Sequence, residues 1–174
     1  MRVTFNKTFF ILLLLLGGWT LSAQESGDCP GELRDMIDHL GMAIAGGHEA
    51  VISISECMHE NNLDSASICV SHFVNLSYEA LGPISDADCH LDRALEESGQ
   101  NRELRHHKEE LKAMKVLVHD AFKECRKAYT TAHTAMELGN TGDMDKMMMD
   151  AVQSMTQSIE WMSEAIGIYE RMKD

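Results

Sequence analysis

The sequence predicts an all-α fold, an antiparallel up-down-up-down four-helix bundle. Three observations predict it. Only two prolines, Pro30 and Pro83, occur in 174 residues. Val, Ile and Thr are sparse while Ala, Leu, Met, Glu and Lys are common, which favours helix over sheet. Apolar residues recur at alternating steps of three and four along four long segments joined by short turns, and this spacing lines one face of a helix. Each segment holds roughly 30 to 37 residues, or about 45–55 Å at 1.5 Å per residue. Matched lengths are what such a bundle requires.

The first segment runs from about Gly31 to Glu60. Its seam is Leu33, Ile37, Leu40, Ile44, Gly47, Val51, Ile54 and Met58. Asn61-Asn62 is a turn signal. The second starts near Leu63, with Asp64 and Ser65 as capping candidates. Its seam reads Leu63, Ala66, Val70, Phe73, Val74, Ser77 and Leu81. Gly82-Pro83 is expected to break or kink it. Ser85-Asp86 restarts a helix to about Glu97, and Ser98-Gly99-Gln100-Asn101 ends it.

The third segment runs from about Arg102 to Leu138. Leu104, Leu111, Val118, Cys125 and Ala132 stand seven apart, flanked by His107, Met114, Ala121, Ala128 and Ala135. Gly139-Asn140-Thr141-Gly142 is the clearest stop, with glycine at the C-cap. The fourth runs from Asp143 to about Met172. Met148, Met155, Met162 and Tyr169 form its central stripe, beside Val152, Ile159 and Ile166.

Residues 1–23 read as a secretory signal peptide. Arg2 and Lys7 precede the apolar run Phe9 to Leu16, and Leu21-Ser22-Ala23 supplies a small residue at the cut. The run is too short to span a bilayer of roughly 30 Å. An uncleaved anchor lacks a second apolar segment or a polybasic flank, and Asp28 before Cys29 disfavours lipidation. Residues 24–174 are then one bundle domain, expected to be periplasmic or secreted. Loss of Arg2 and Lys7 leaves 13 basic against 28 acidic residues, a net charge of −15. Such a surface repels nucleic acid and anionic lipid and attracts cations.

The five cysteines are Cys29, Cys57, Cys69, Cys89 and Cys125. An odd count leaves at least one thiol unpaired within a monomer. Antiparallel helices put Cys29 and Cys89 at one end, so a Cys29–Cys89 disulfide is expected. Cys57, Cys69 and Cys125 fall within about 10 Å in height near the other end at 1.5 Å rise. One bridge is expected among them, Cys57–Cys69 or Cys69–Cys125. Staples of this kind typically stabilise by about 2–4 kcal/mol. The leftover thiol, with nearby methionine, is a soft donor for copper(I).

Enzyme chemistry has little support. Glu56…His59 and Glu103…His106 are Glu-x-x-His pairs, as in di-iron bundles. They lie on parallel helices about 35 Å apart in height and cannot share a metal centre. There is no Cys-x-x-Cys-His for haem, no phosphate loop, no Gly-x-Ser-x-Gly and no ordered Ser, His and Asp triad.

The unusual residues are 13 methionines and nine histidines: 39, 48, 59, 72, 90, 106, 107, 119 and 133. Most histidines fall outside the apolar seams. Several have a carboxylate or methionine within one turn: Asp35/His39/Met42, Glu56/His59, His106/Glu110 and His133/Glu137. Imidazole with carboxylate suits copper(II), nickel(II) or zinc(II) in open sites. Met148, Met155 and Met162 read as core filler. Met144, Met147 and Met149 cannot all point inward, and by height they lie near His59 and His133. That thioether and imidazole patch is the sharpest site expectation, and it favours copper. The candidate ligands are His59, His133, Met144, Met147, His48, His119, His106 and His39.

The stretch Ala135 to Ala151, continuing to Ser158, has an Ala-containing helix end, a Gly-x-x-Gly turn, an acidic re-entry and an Ala-spaced next helix. It resembles the helix–turn–helix unit of the small metal-binding proteins, and the likeness extends loosely to Ala45-Gly46-Gly47-His48-Glu49-Ala50. That resemblance implies a secreted, His-rich four-helix bundle binding divalent metals, copper among them. The family usually has histidine where this chain has Asp150 and Gln157, and methionine is expected to replace it in part.

The resulting expectation is an extracytoplasmic, non-enzymatic protein that buffers a transition metal, copper first and nickel or zinc next. The acidic surface would gather cations, and His, Met and carboxylates would ligate them. Binding would weaken below about pH 6, where imidazoles protonate. The rival reading is a helical scaffold whose faces dock another protein, with no metal role.

Overall fold

A computed structural model describes residues 31–57, 63–138 and 142–173. The expected signal peptide, Cys29, His59 and the turns at 58–62 and 139–141 lie outside the described residues. Among those described, the chain is all helical: α1 (Gly31–Cys57), α2 (Leu63–Glu97), α3 (Arg102–His106), α4 (Lys108–Leu138) and α5 (Gly142–Met172). No helix there is long and apolar enough to cross a membrane.

α1 buries Leu33, Ile37, Leu40, Val51 and Ile54, as the spacing predicts, and adds Met36, Ala43 and Ala50. Gly47 belongs to that seam because α5 passes close by. A Cβ there would meet Met155 Sδ and the Ile159 side chain at 3.1 Å.

α2 differs from expectation at Gly82-Pro83. A break or kink is expected from the sequence, but the helix runs unbroken from Leu63 to Glu97 with Pro83 inside it. Two physical features permit this. Gly82 has no Cβ to collide with the proline ring, the clash that normally drives the preceding residue out of the α region. Beyond the proline, Ile84, Ala87, Leu91 and Ala94 are buried. Losing the helix there would expose that face to water.

The third segment is interrupted where one continuous helix is expected. Asn101 caps α3, its Oδ1 accepting from the Glu103 amide at 2.9 Å. After one short turn His107 leaves helical geometry at φ −103°, ψ 20°. Its amide donates to the Leu104 carbonyl at 3.2 Å and its carbonyl accepts from the Leu111 amide at 2.9 Å, so α4 begins at once. α4 presents a narrow buried face of Ala121, Ala128, Ala132 and Ala135 beside Leu111, Met114, Val118 and Cys125. On α5 the predicted stripe of Met148, Met155, Met162 and Tyr169 is buried.

Each long helix packs on two others: α1 on α2 and α5, and α4 on α2 and α5. Glu32 near the start of α1 meets His90 near the end of α2. Lys115 on α4 bonds Asp88 and Asp92 of α2 at 2.9 and 2.8 Å. Ser158 of α5 donates to the Ala121 carbonyl of α4 at 2.8 Å.

Two expected disulfides are corrected. Cys89 and Cys125 are free thiols, which removes both Cys29–Cys89 and Cys69–Cys125. Consecutive helical residues point about 100° apart, so α2 turns His90 toward α1 and leaves Cys89 exposed to solvent. Cys125 faces the core, its thiol donating to the Ser77 carbonyl at 3.4 Å, two turns of α2 away from Cys69. Cys69 is itself disulfide-bonded, and its partner lies outside the described side chains. In native buffer, Cys89→Ser is expected to remove one rapidly reacting thiol equivalent toward an aromatic disulfide reagent. Cys125→Ser should change only the thiol that reacts after unfolding. Equal rates for the two thiols would contradict this placement.

Candidate functional site

The tightest cluster of donor groups joins the first turns of α1 to the last turns of α2. The His90 and His39 rings stack with centroids 5.3 Å apart and an interplanar angle of 22°. His90 Nδ1 lies 2.7 Å from Glu32 Oε2, and Arg93 Nη1 stands 3.5 Å from the same oxygen. The hydrogen bond from His90, helped by the Arg93 charge, holds the Glu32 carboxyl below its usual pKa. An ionised carboxylate only accepts, so Nδ1 of His90 carries the proton. In the neutral ring the free lone pair is therefore on Nε2. A carboxylate bracing one imidazole nitrogen while the other is left to ligate is the common second-layer arrangement of metal-binding histidines. His39 Nδ1 is buried and has no hydrogen-bond partner among the described residues.

The other expected ligands are placed differently. His133 sits on α4 with Nδ1 3.7 Å from Glu137 Oε1. Its ring packs against Tyr129 at 5.8 Å, and Tyr129 meets Tyr78 at 5.4 Å. Met144 and Met147 are half-buried and pack against the core, whereas Met149 is exposed. The ring of His133 is thus engaged with an aromatic neighbour, Tyr129. His48 is half-buried, and that burial lowers its pKa below the usual imidazole value. His106 and His119 are exposed. Among the described residues, no three or more His, Cys, Asp or Glu side chains are disposed to hold one metal ion.

Of the sequence candidates among the described residues, only His39 is recorded against a second imidazole on another helix, in a stacked pair with His90. Its partner His90 carries no local signal, since the two are far apart in the chain. Height along the helices was the available clue. The register that put Cys89 beside the start of α1 also put His90 there.

A cavity of about 520 Å³ lies at the same end of the chain's helices as His107, lined by Glu110, Ala113, Ile168, Arg171 and Met172. It mixes both charges over an apolar floor and selects no ligand chemistry. Comparison with family models, curated proteins and solved structures finds no match to this chain.

Proposed function

We propose that this chain is an antiparallel up-down-up-down four-helix bundle that acts outside the cytoplasm, after loss of residues 1–23, and binds a transition-metal ion. The ion is copper(II) first, with nickel(II) and zinc(II) as weaker fits to imidazole and carboxylate donors. The topology rests on two of the contacts above, Glu32 with His90 and Lys115 with Asp88 and Asp92, each of which pairs an early turn of one helix with a late turn of its neighbour. Cys57 is proposed as the partner of Cys69, in keeping with the one expected bridge that does not use a free thiol.

The observation that carries the metal reading is the His39–His90 pair with Glu32 behind it. Two imidazoles from neighbouring helices would supply the nitrogen donors, with Glu32 bracing one of them. Protein purified without a tag is expected to take up one copper(II) ion. His39→Ala and His90→Ala should each abolish that equivalent. Glu32→Gln should weaken it about tenfold to hundredfold, as loss of a bracing carboxylate does. Binding should fall off in acid, since imidazole ligates only when neutral. No affinity tighter than millimolar in the unaltered protein would sink the metal reading.

The second reading, a helical docking module, is favoured by a different observation. Tyr78, Tyr129 and His133 form an aromatic row on α2 and α4, and Ile68, Tyr78 and Met136 on the same two helices are exposed. Failure of copper binding would leave that reading standing.

A further inference from the structure

One layer of the core is built from small and sulfur-bearing side chains. α1 contributes Gly47, α2 Ser77, α4 Cys125 and α5 Met155, and all four are buried. The register follows from three contacts. The Cys125 thiol lies 3.4 Å from the Ser77 carbonyl. Ser158 bonds the Ala121 carbonyl. Ala121 is one turn before Cys125 and Ser158 is three residues after Met155, which sets Met155 level with Cys125. Met155 Sδ lies where a Cβ on Gly47 would be 3.1 Å away. One residue from each long helix therefore meets at one height, and two of the four carry sulfur.

Ser77 supplies an independent observation. It is 0% exposed, yet its Oγ has no hydrogen-bond partner among the described residues. A serine inside a helix usually donates to the carbonyl one turn back, as Ser55 and Ser163 do here at 2.7 and 2.8 Å. Ser77 leaves a polar atom unanswered beside a thiol in an apolar core, where burial without a partner is costly.

We propose that this layer binds one soft monovalent cation, copper(I), between the Cys125 sulfur and the Met155 thioether, with Ser77 Oγ as a third donor. The Cys125 S–H bond breaks, a sulfur–copper bond forms, and the proton leaves to solvent. Copper enters and stays as copper(I), so no electron is exchanged. One positive charge replaces another, and the core remains neutral. A divalent ion would leave an uncompensated charge in apolar surroundings, which is strongly disfavoured. Thiolate and thioether donors add a preference for soft ions. The three rotatable bonds of Met155 let its sulfur swing toward the ion. This site shares no residue with the His39–His90 pair and stands or falls separately.

The test is anaerobic titration of the full mature protein with copper(I) against a coloured competing chelator, following the thiolate-to-copper absorption in the ultraviolet. One equivalent is expected to disappear in both Cys125→Ser and Cys125→Ala. Met155→Leu should weaken it at least tenfold. Cys89→Ser and the double variant His39→Ala/His90→Ala should retain it, and silver(I) should compete where zinc(II) does not. Circular dichroism of the metal-free variants checks that each folds. X-ray absorption at the copper edge of the unaltered protein should record two sulfur neighbours, a reading that needs no variant. Full stoichiometry in Cys125→Ala, unchanged affinity in Met155→Leu, or a copper environment without two sulfurs would overturn the proposal.

Discussion

Phe73→Ala is expected to destabilise the protein by about 3–5 kcal/mol, the usual cost of removing a buried aromatic ring. Phe73 is the largest of the fully buried side chains, at 0% exposure. It lies on α2, which packs on both α1 and α4. The loss combines the transfer energy of the ring with the cavity it leaves. Helices held by neighbours on two sides cannot close that space by a small shift. For a domain of this size the melting temperature should drop by roughly 10 °C or more. Thermal and urea unfolding followed by circular dichroism measure it. A drop of only a few degrees would mean that the core around α2 collapses easily or is not packed as described.

The second large effect is alkaline. Burial pushes the Cys125 thiol from its ordinary 9.0 up to about 12. In the unfolded chain the same thiol ionises near its ordinary value. Between pH 9 and 12 the unfolded state therefore gives up a proton that the folded state keeps. The contribution of the neutral thiol is fully present below about pH 9 and is lost as pH climbs toward 12. The total loss is about 4 kcal/mol, at about 1.4 kcal/mol for each tenfold change in proton concentration. Urea unfolding of the metal-free protein at pH 7, 9 and 10.5 should show stability falling only over the last interval. In Cys125→Ala that fall should shrink by about 2 kcal/mol, the part of the loss reached by pH 10.5 at about 1.4 kcal/mol per pH unit above 9. An identical alkaline slope in the two proteins would show that Cys125 is not the group responsible.

Much of the fold is legible in the sequence because burial follows helical period. The seams read from Leu33 to Ile54, from Val70 to Ser77 and from Met148 to Tyr169 are buried apart from a half-buried Ile44, and Ser98 to Asn101 ends a helix as its turn chemistry predicts. The misses are places where tertiary context overrides a local rule. Pro83 is a helix breaker by covalent geometry, yet Gly82 before it and the buried Ile84 and Leu91 after it keep α2 continuous. His107 gives no breaker signal, being neither glycine nor proline, and still divides α3 from α4.

The site was less legible than the fold. Height along a helix can be counted from sequence, and it placed Cys89 beside the start of α1. Azimuth needs the packing of both helices. One residue of error in rotation separates a disulfide at Cys89 from a stacked imidazole at His90. The same limit applied to Met144 and Met147, where an apparent surplus of thioethers at one helix start turned out to be half absorbed by the core.

Pro83 inside α2 has a further consequence. Proline brings no amide hydrogen, so the carbonyl of Glu79, one turn earlier, has no partner in the ladder and must be answered by solvent. Cooperativity along α2, the longest of the described helices, is thereby weakened near its midpoint. The stretch that carries Phe73 and the stretch that carries His90 are free to open and reclose as two units, so amide protons on either side of the gap need not exchange with deuterium at a common rate.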